Sequence, residues 1–253
     1  MLKKANKYVK IYSGGDILFV IKLAEINIGI ISNYASVKSF CKEYLSDSDV
    51  CDFTVSVSDV DKALEKAIDP SHSDVYIESI CIYRNLCKKL PEYGAFMLHA
   101  SVVECDGEAF AFCAPSGTGK STHTSLWLKH FGDRARIING DKPIIRFIDG
   151  KPYVFGTPWC GKEGYNINAR APLTALCFLE RGKINRAYRI DPSDAVTKIF
   201  PQILLPNEEG TADMLFPLLD KTLLTVPSFR LSCNISDEAV TVAYNTMKGI
   251  HKK

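Results

Sequence analysis

The sequence predicts an α/β fold leaning towards α+β: a mixed, largely antiparallel sheet with a phosphate-type loop inserted in it and helices flanking it. Two observations carry this. First, the β-like run Ala109-Phe110-Ala111-Phe112-Cys113 leads directly into Ala114-Pro115-Ser116-Gly117-Thr118-Gly119-Lys120-Ser121-Thr122, and helical spacing follows from Thr122 to about His130. A strand, a glycine-rich turn and a helix start are the context such a loop needs. Second, hairpin signals stand on both sides of it, Asp106-Gly107 before and Asp149-Gly150 after. A parallel core with helical crossovers would show continuous apolar strands separated by helices instead.

The elements follow in order. Tyr8 to Tyr12, Ile17 to Leu23 and Ile26 to Ile31 read as strands, with Gly14-Gly15 as a hairpin signal between the first two. A short helix is predicted from Val37 to Leu45, and Asp52 to Val57 alternates like a half-buried strand. Ser58 with Asp61 three residues on marks a helix start, and Pro70 marks its end. Asp74 to Leu90 carries apolar residues near helical spacing. Phe96 to Val103 reads as one strand, hairpinned through Asp106-Gly107 to the strand that feeds the loop. Arg136 to Ile138 is a buried strand ending at Asn139-Gly140-Asp141. Ile144 to Ile148 and Tyr153 to Phe155 form the second hairpin, and Leu173 to Glu180 is another apolar strand. Asp191-Pro192 opens a helix with an N-cap and a first-turn proline. Helical segments near 208–219 and 236–248 flank a strand from Phe229 to Cys233. The expected organisation is a strand-rich N-terminal lobe, residues 1–95, packed on a nucleotide-binding core, residues 96–253.

Composition bounds the function. The 253 residues are 46% apolar and 24% charged, ordinary for a soluble globular protein. With 31 basic and 29 acidic residues the net charge is +2, so there is no electrostatic footprint for nucleic acid. Lys3, Lys4, Lys7 and Lys10 fit a solvated strand better than a membrane contact. The apolar run Ile17 to Ile21 stops at Lys22, too short for a signal or a membrane span. The nine cysteines form no CxxC pair and no zinc-type cluster, and read as small buried hydrophobes of a reducing, cytoplasmic compartment.

The chemistry is expected around the loop. Backbone N–H groups of residues 114–122 would point at an anion, helped by the helix N-terminus and by glycines that admit close approach. Lys120 would reach the β- and γ-phosphates and the Ser121 hydroxyl a Mg²⁺ ion. Ala114 stands where the usual pattern has glycine. His99, on the strand before the loop strand, is either a core histidine or a functional one. Asp141, at the end of the strand after the loop helix, is a candidate metal ligand. Gly156-Thr157-Pro158-Trp159-Cys160-Gly161-Lys162 is a loop by composition. Its Trp159 could stack on a ring or pack on the core, and Lys162 could touch a phosphate or lie in water. Arg170, beyond Asn168, is a candidate for stabilising transferring charge.

The block Leu98-His99-Ala100-Ser101, then 114–122, then Asn139-Gly140-Asp141-Lys142-Pro143 and Gly156-Thr157-Pro158-Trp159 resembles the HPr kinase and PEP carboxykinase superfamily, nearest its small bacterial HPr kinase-like members. The resemblance is clearest from about 96 to 182. It implies a PEP carboxykinase-like core, with Lys120 and Ser121 as phosphate and Mg²⁺ ligands, His99 near the metal and γ-phosphate, and Asp141 as one of an acidic pair. Gly140 departs from the pattern, because relatives commonly carry the other aspartate there. The N-terminal region does not resemble the regulatory domain of full HPr kinases.

The expected activity is an ATP-dependent kinase. With ATP and Mg²⁺, it would transfer the γ-phosphoryl group to a serine-type hydroxyl of a small molecule, peptide or protein. A PEP carboxykinase-like enzyme and a nucleotide-binding accessory protein without turnover are the alternatives. The acceptor is unnamed by the sequence, no nucleic-acid or membrane partner is expected, and homo-oligomerisation is left open.

Overall fold

The computed structural model describes residues 10–11, 17–205 and 210–249. The chain forms two compact units, Met1–Lys89 and Leu90–Lys253. The Gly14-Gly15 signal, Lys3, Lys4 and Lys7, and the first residues of the helix expected near 208 lie outside the described residues.

The first unit is a four-stranded sheet, β1 (Lys10–Ile11), β2 (Ile17–Leu23), β3 (Ile26–Ser32) and β4 (Phe53–Val55), in that spatial order. A tight turn at Ala24 and Glu25 joins β2 to β3, both residues in the left-handed region at φ 49° and 64°. Neither is the glycine or asparagine that usually announces such a turn. Three helices complete the unit: α1 (Ala35–Phe40), α2 (Asp59–Ile68) and α3 (Asp74–Lys89). The Ser58 and Asp61 signature is a full capping box at the start of α2.

The second unit carries the glycine-rich loop. Its strands are β5 (Ala95–Met97), β6 (Ala100–Cys105), β7 (Glu108–Cys113), β8 (Ala135–Asn139), β9 (Ile144–Ile148), β10 (Lys151–Phe155), β11 (Arg170–Arg181), β12 (Arg186–Ile190) and β13 (Ser228–Cys233). Its helices are α4 (Lys120–Phe131), α5 (Pro192–Ile199), α6 (Thr211–Thr225) and α7 (Asp237–Met247). The sheet runs β5-β9-β10-β11-β7-β6-β8, and β13 adds to β11 and β12 to β13. It is a mixed α/β architecture: β7, β11 and β13 are mutually parallel through β11, and the other pairings of this unit are antiparallel. Both Asp-Gly turns form as predicted, with Asp106 at φ 53° and Asp149 at φ 49°.

Period-two alternation on β7 divides the core. Ala109, Ala111 and Cys113 face a cluster that includes Ile199 of α5 and Leu219 and Leu223 of α6. Phe110 and Phe112 face the opposite cluster, with Trp127 of α4 and Val240 and Ala243 of α7. The sheet is therefore covered on both faces, and β7 delivers the loop from its middle. No helix among the described residues is long and apolar enough to cross a membrane.

Three elements differ from the sequence reading. The strand expected over Phe96 to Val103 is broken at Leu98 and His99, whose N–H groups donate to Pro143 O at 3.0 Å and Gln202 O at 2.8 Å. Strand β12 has no signal in the sequence, because Arg186 and Arg189 interrupt any apolar run, and pairing to β13 makes it an edge strand. The helix expected to end near 219 continues through Pro217 to Thr225.

Candidate active site

The loop 114–119 closes the C-terminal end of β7 and opens α4. Gly117 at φ +77° and Gly119 at φ +119° hold the left-handed conformations that only glycine adopts at little cost. Gly119 is the N-cap of α4, with no side-chain cap, so protein side chains leave the first-turn N–H groups to an incoming acceptor. Ala114 is no defect. It is 3% exposed, packs with Phe112 and Trp127, and has none of the positive φ that would call for glycine. Its carbonyl accepts a 2.9 Å hydrogen bond from Lys120 Nζ.

Three of the expected side chains converge. His99 Nε2 lies 3.0 Å from Lys120 Nζ and 3.1 Å from Asp141 Oδ1. The register explains it. Ala100 pairs with Cys113, and Ala100 N–H donates to Asp141 O at 3.0 Å, so the break at His99 falls between the loop and the acidic turn. One neutral imidazole nitrogen can accept from Lys120 or donate to Asp141, not both. An anion that drew Lys120 away would leave Nε2–H free for the carboxylate. Desolvation pulls the Lys120 ammonium below the ordinary lysine value, with Asp141 opposing it. Burial pushes the Asp141 carboxyl up, but the hydrogen bond from His99 and the Lys142 ammonium at 3.4 Å bring it below the usual carboxylate range. A desolvated cation under a loop of open N–H groups, next to an ionised carboxylate, fits a polyphosphate with a divalent cation. Lys120 and the loop would hold the phosphates, and Ser121 and Asp141 the metal.

The acidic turn is clamped from behind. Asn139, fully buried, accepts from Asp141 N–H at 2.9 Å and Lys142 N–H at 2.7 Å, and its amide donates to Thr157 O at 2.9 Å. Thr157 Oγ1 donates to Lys142 O at 2.7 Å, and Gly140 N–H donates to Tyr165 O at 2.8 Å. The segment from Gly156 to Trp159 is thus a buttress. Trp159 is 6% exposed and packs inward, while Lys162 and Asn168 lie on the surface. Gly140 is tight: a Cβ there would stand 2.7 Å from the carbonyl oxygen of Cys160.

Arg170 does not join this group of side chains. It starts β11, whose partner for Cys113 is Phe178, so eight residues of strand separate it from the loop end. Its guanidinium lies over the Tyr153 ring at 5.1 Å from the centroid. The arginine that touches the loop is Arg181, at the other end of the strand, donating from Nε to Thr118 O at 3.1 Å and from Nη2 to Gly117 O at 2.5 Å. The apolar run in the sequence ends at Glu180, one residue short of it. Glu163 also comes near Asp141. The Gly161 turn, at φ +78°, brings its Oε2 within 3.8 Å of the position of a Gly161 Cβ, and Asp141 Cγ lies 3.7 Å from that same point.

Below α4's first turn, His123 is 3% exposed, and burial lowers its pKa to about 4 from 6.5. Its folded-state pKa lies below the unfolded one. Between pH 6.5 and 4 the unfolded chain therefore takes the proton first, and stability falls as pH falls. Wild type is expected to lose about 3 kcal/mol over that window relative to His123→Phe, as read by denaturant unfolding at pH 7 and pH 4. Parallel curves for the two proteins would contradict it. The nine cysteines form no disulfide, and burial pushes the thiols of Cys41 and Cys113 up to about 12, which leaves them protonated packing groups.

No family model matches this chain, and no curated protein matches it. Among solved structures it is similar to the HPr(Ser) kinase/phosphatase from Coxiella burnetii at 9% identity and a TM-score of 0.34, covering 61% of this chain and 97% of that one. A likeness that loose carries no weight here, and the functional reading rests on the geometry above.

Proposed function

We propose that the second unit is an ATP·Mg²⁺-dependent phosphotransferase acting on a hydroxyl group. The observation that supports this most is the meeting of Lys120, His99 and Asp141 within 3.1 Å of one imidazole nitrogen at the mouth of the loop. The loop N–H groups and Lys120 bind and orient the triphosphate, and the buttressed turn holds Asp141 against it. Ser121 and Asp141 would hold a Mg²⁺ ion, which would supply charge to neutralise the phosphates. The acceptor oxygen attacks the γ-phosphorus in line, the bond to the β–γ bridging oxygen breaks, ADP leaves, and the acceptor proton passes to a carboxylate. Asp141 and Glu163 are two carboxylates that approach one another at the Gly161 turn, with Asp141 Cγ and Glu163 Oε2 3.7 and 3.8 Å from one point. Glu163→Gln decides between them: unchanged ATP turnover assigns the proton to Asp141, and a ~10²-fold fall assigns it to Glu163.

The acceptor is sought directly. Incubation with γ-labelled ATP and a cell extract is expected to label one species on a hydroxyl, with ADP released in equal amount. ATP uptake with no ADP release from any fraction would favour the second reading, a nucleotide-binding protein without turnover. That reading draws on Gly140, where the structure has no room for a second acid.

A further inference from the structure

We infer that Arg181 is a positioning residue for the anion site: its guanidinium fixes two peptide groups of the glycine-rich loop, so that Gly119 N–H is presented to a phosphate oxygen. This rests on the nucleotide reading above. Arg181 donates from Nε to Thr118 O at 3.1 Å and from Nη2 to Gly117 O at 2.5 Å. Both bonds leave one edge of a planar fork, so the two carbonyls are drawn to the same side of the loop. The peptide bonds are trans, and in a trans peptide the C=O and the following N–H point in opposite directions. The N–H groups of Thr118 and Gly119 therefore face away from Arg181. Thr118 N–H closes a turn on Pro115 O at 3.3 Å. Gly119 N–H, at the N-cap of α4 and next to Lys120, has no protein acceptor among the described residues.

The loop needs such a restraint. A Cβ at Gly117 or Gly119 would meet nothing within 4 Å, so packing does not hold these residues, and glycine torsions are the softest in the chain. The arginine itself stands on a fixed base. It pairs with Cys233 at the end of the parallel ladder between β11 and β13, and Gly182 N–H donates to Cys233 O at 2.9 Å. A Cβ at Gly182 would stand 2.0 Å from Ser232 Oγ, which leaves the chain one close path past β13. Among the described residues no carboxylate pairs with Arg181. A charged fork that goes to two neutral carbonyls of one loop keeps its positive charge beside the anion site and adds to the pull on a phosphate. Arg181 acts through the loop and not on the reacting atoms.

The test is calorimetry on the full chain with Mg·ATP and Mg·tripolyphosphate. Arg181→Ala is expected to weaken both by the same factor, at least ~10-fold, because the residue acts on the phosphates alone. Its melting temperature is expected to stay within about 2 °C of wild type, since the side chain is exposed and outside both core clusters. Added methylguanidinium is expected to restore binding to Arg181→Ala, and methylammonium at the same concentration is not. Arg181→Lys keeps the charge without the two-pronged fork, and is expected to bind nearly as weakly as Arg181→Ala. Wild-type affinity in Arg181→Ala, or full recovery in Arg181→Lys, would overturn the proposal and leave the phosphate loop standing. A fall in melting temperature with no rescue by methylguanidinium would also overturn it, making Arg181 a structural residue. Binding of neither probe by the wild type would overturn the nucleotide reading itself.

Discussion

Lys120→Ala is expected to lower ATP turnover by at least ~10²–10³-fold, the usual consequence of removing one charge-stabilising donor at a reacting centre. The melting temperature should stay unchanged or rise slightly. The second expectation separates a functional lysine from a structural one. Desolvation places the folded-state pKa of Lys120 below its unfolded value, so its charge is a cost to the folded protein at neutral pH. Its partners, the Ala114 carbonyl and one His99 nitrogen, make poor compensation for a buried ammonium. A cation held at such a disadvantage is placed for an anion. Turnover that survived the substitution, or a melting temperature that collapsed with it, would make Lys120 a structural residue.

Gly140→Asp is expected to destabilise the protein by about 1–3 kcal/mol or more, and to gain no activity. A resemblance to proteins with an acidic pair invites the opposite guess, that one substitution restores a lost base. The geometry forbids it. The new Cβ would stand 2.7 Å from Cys160 O, with Tyr165 Cβ and O at 3.5 Å, and backbone atoms cannot yield as a flexible side chain can. The Gly140 N–H bond to Tyr165 O fixes that approach. The expected measurement is a fall in the denaturant midpoint with no change in slope. A variant as stable as wild type, with faster turnover, would show that the loop after Trp159 gives way, and that the proton acceptor belongs at residue 140.

The strand, loop and helix from Ala109 to His130 were legible because each step has a local cause: an apolar run, glycines at positive φ, then helical spacing. The two Asp-Gly hairpins were legible for the same reason, and with them the mixed character of the sheet. Whatever depends on pairing between distant segments was hidden. Arg170 and Arg181 begin and end one strand, and only the parallel register of β11 with β7 tells which of them reaches the loop. The Ala24-Glu25 turn lacks any turn residue, and β12 lacks apolar alternation, so each is set by its neighbours. Asn139 and Thr157 read as turn composition in the sequence. Their role as a clamp on Asp141 exists only once the segment from Gly156 folds back on the turn.

The loop before Lys120 is expected to wrap a polyphosphate beside His99 and Asp141. Calorimetric titration of the wild type with ATP, with and without Mg²⁺, tests it most directly. One saturable site that needs Mg²⁺ and is weakened by Asp141→Asn is the predicted result, and no heat of binding up to millimolar nucleotide would contradict it.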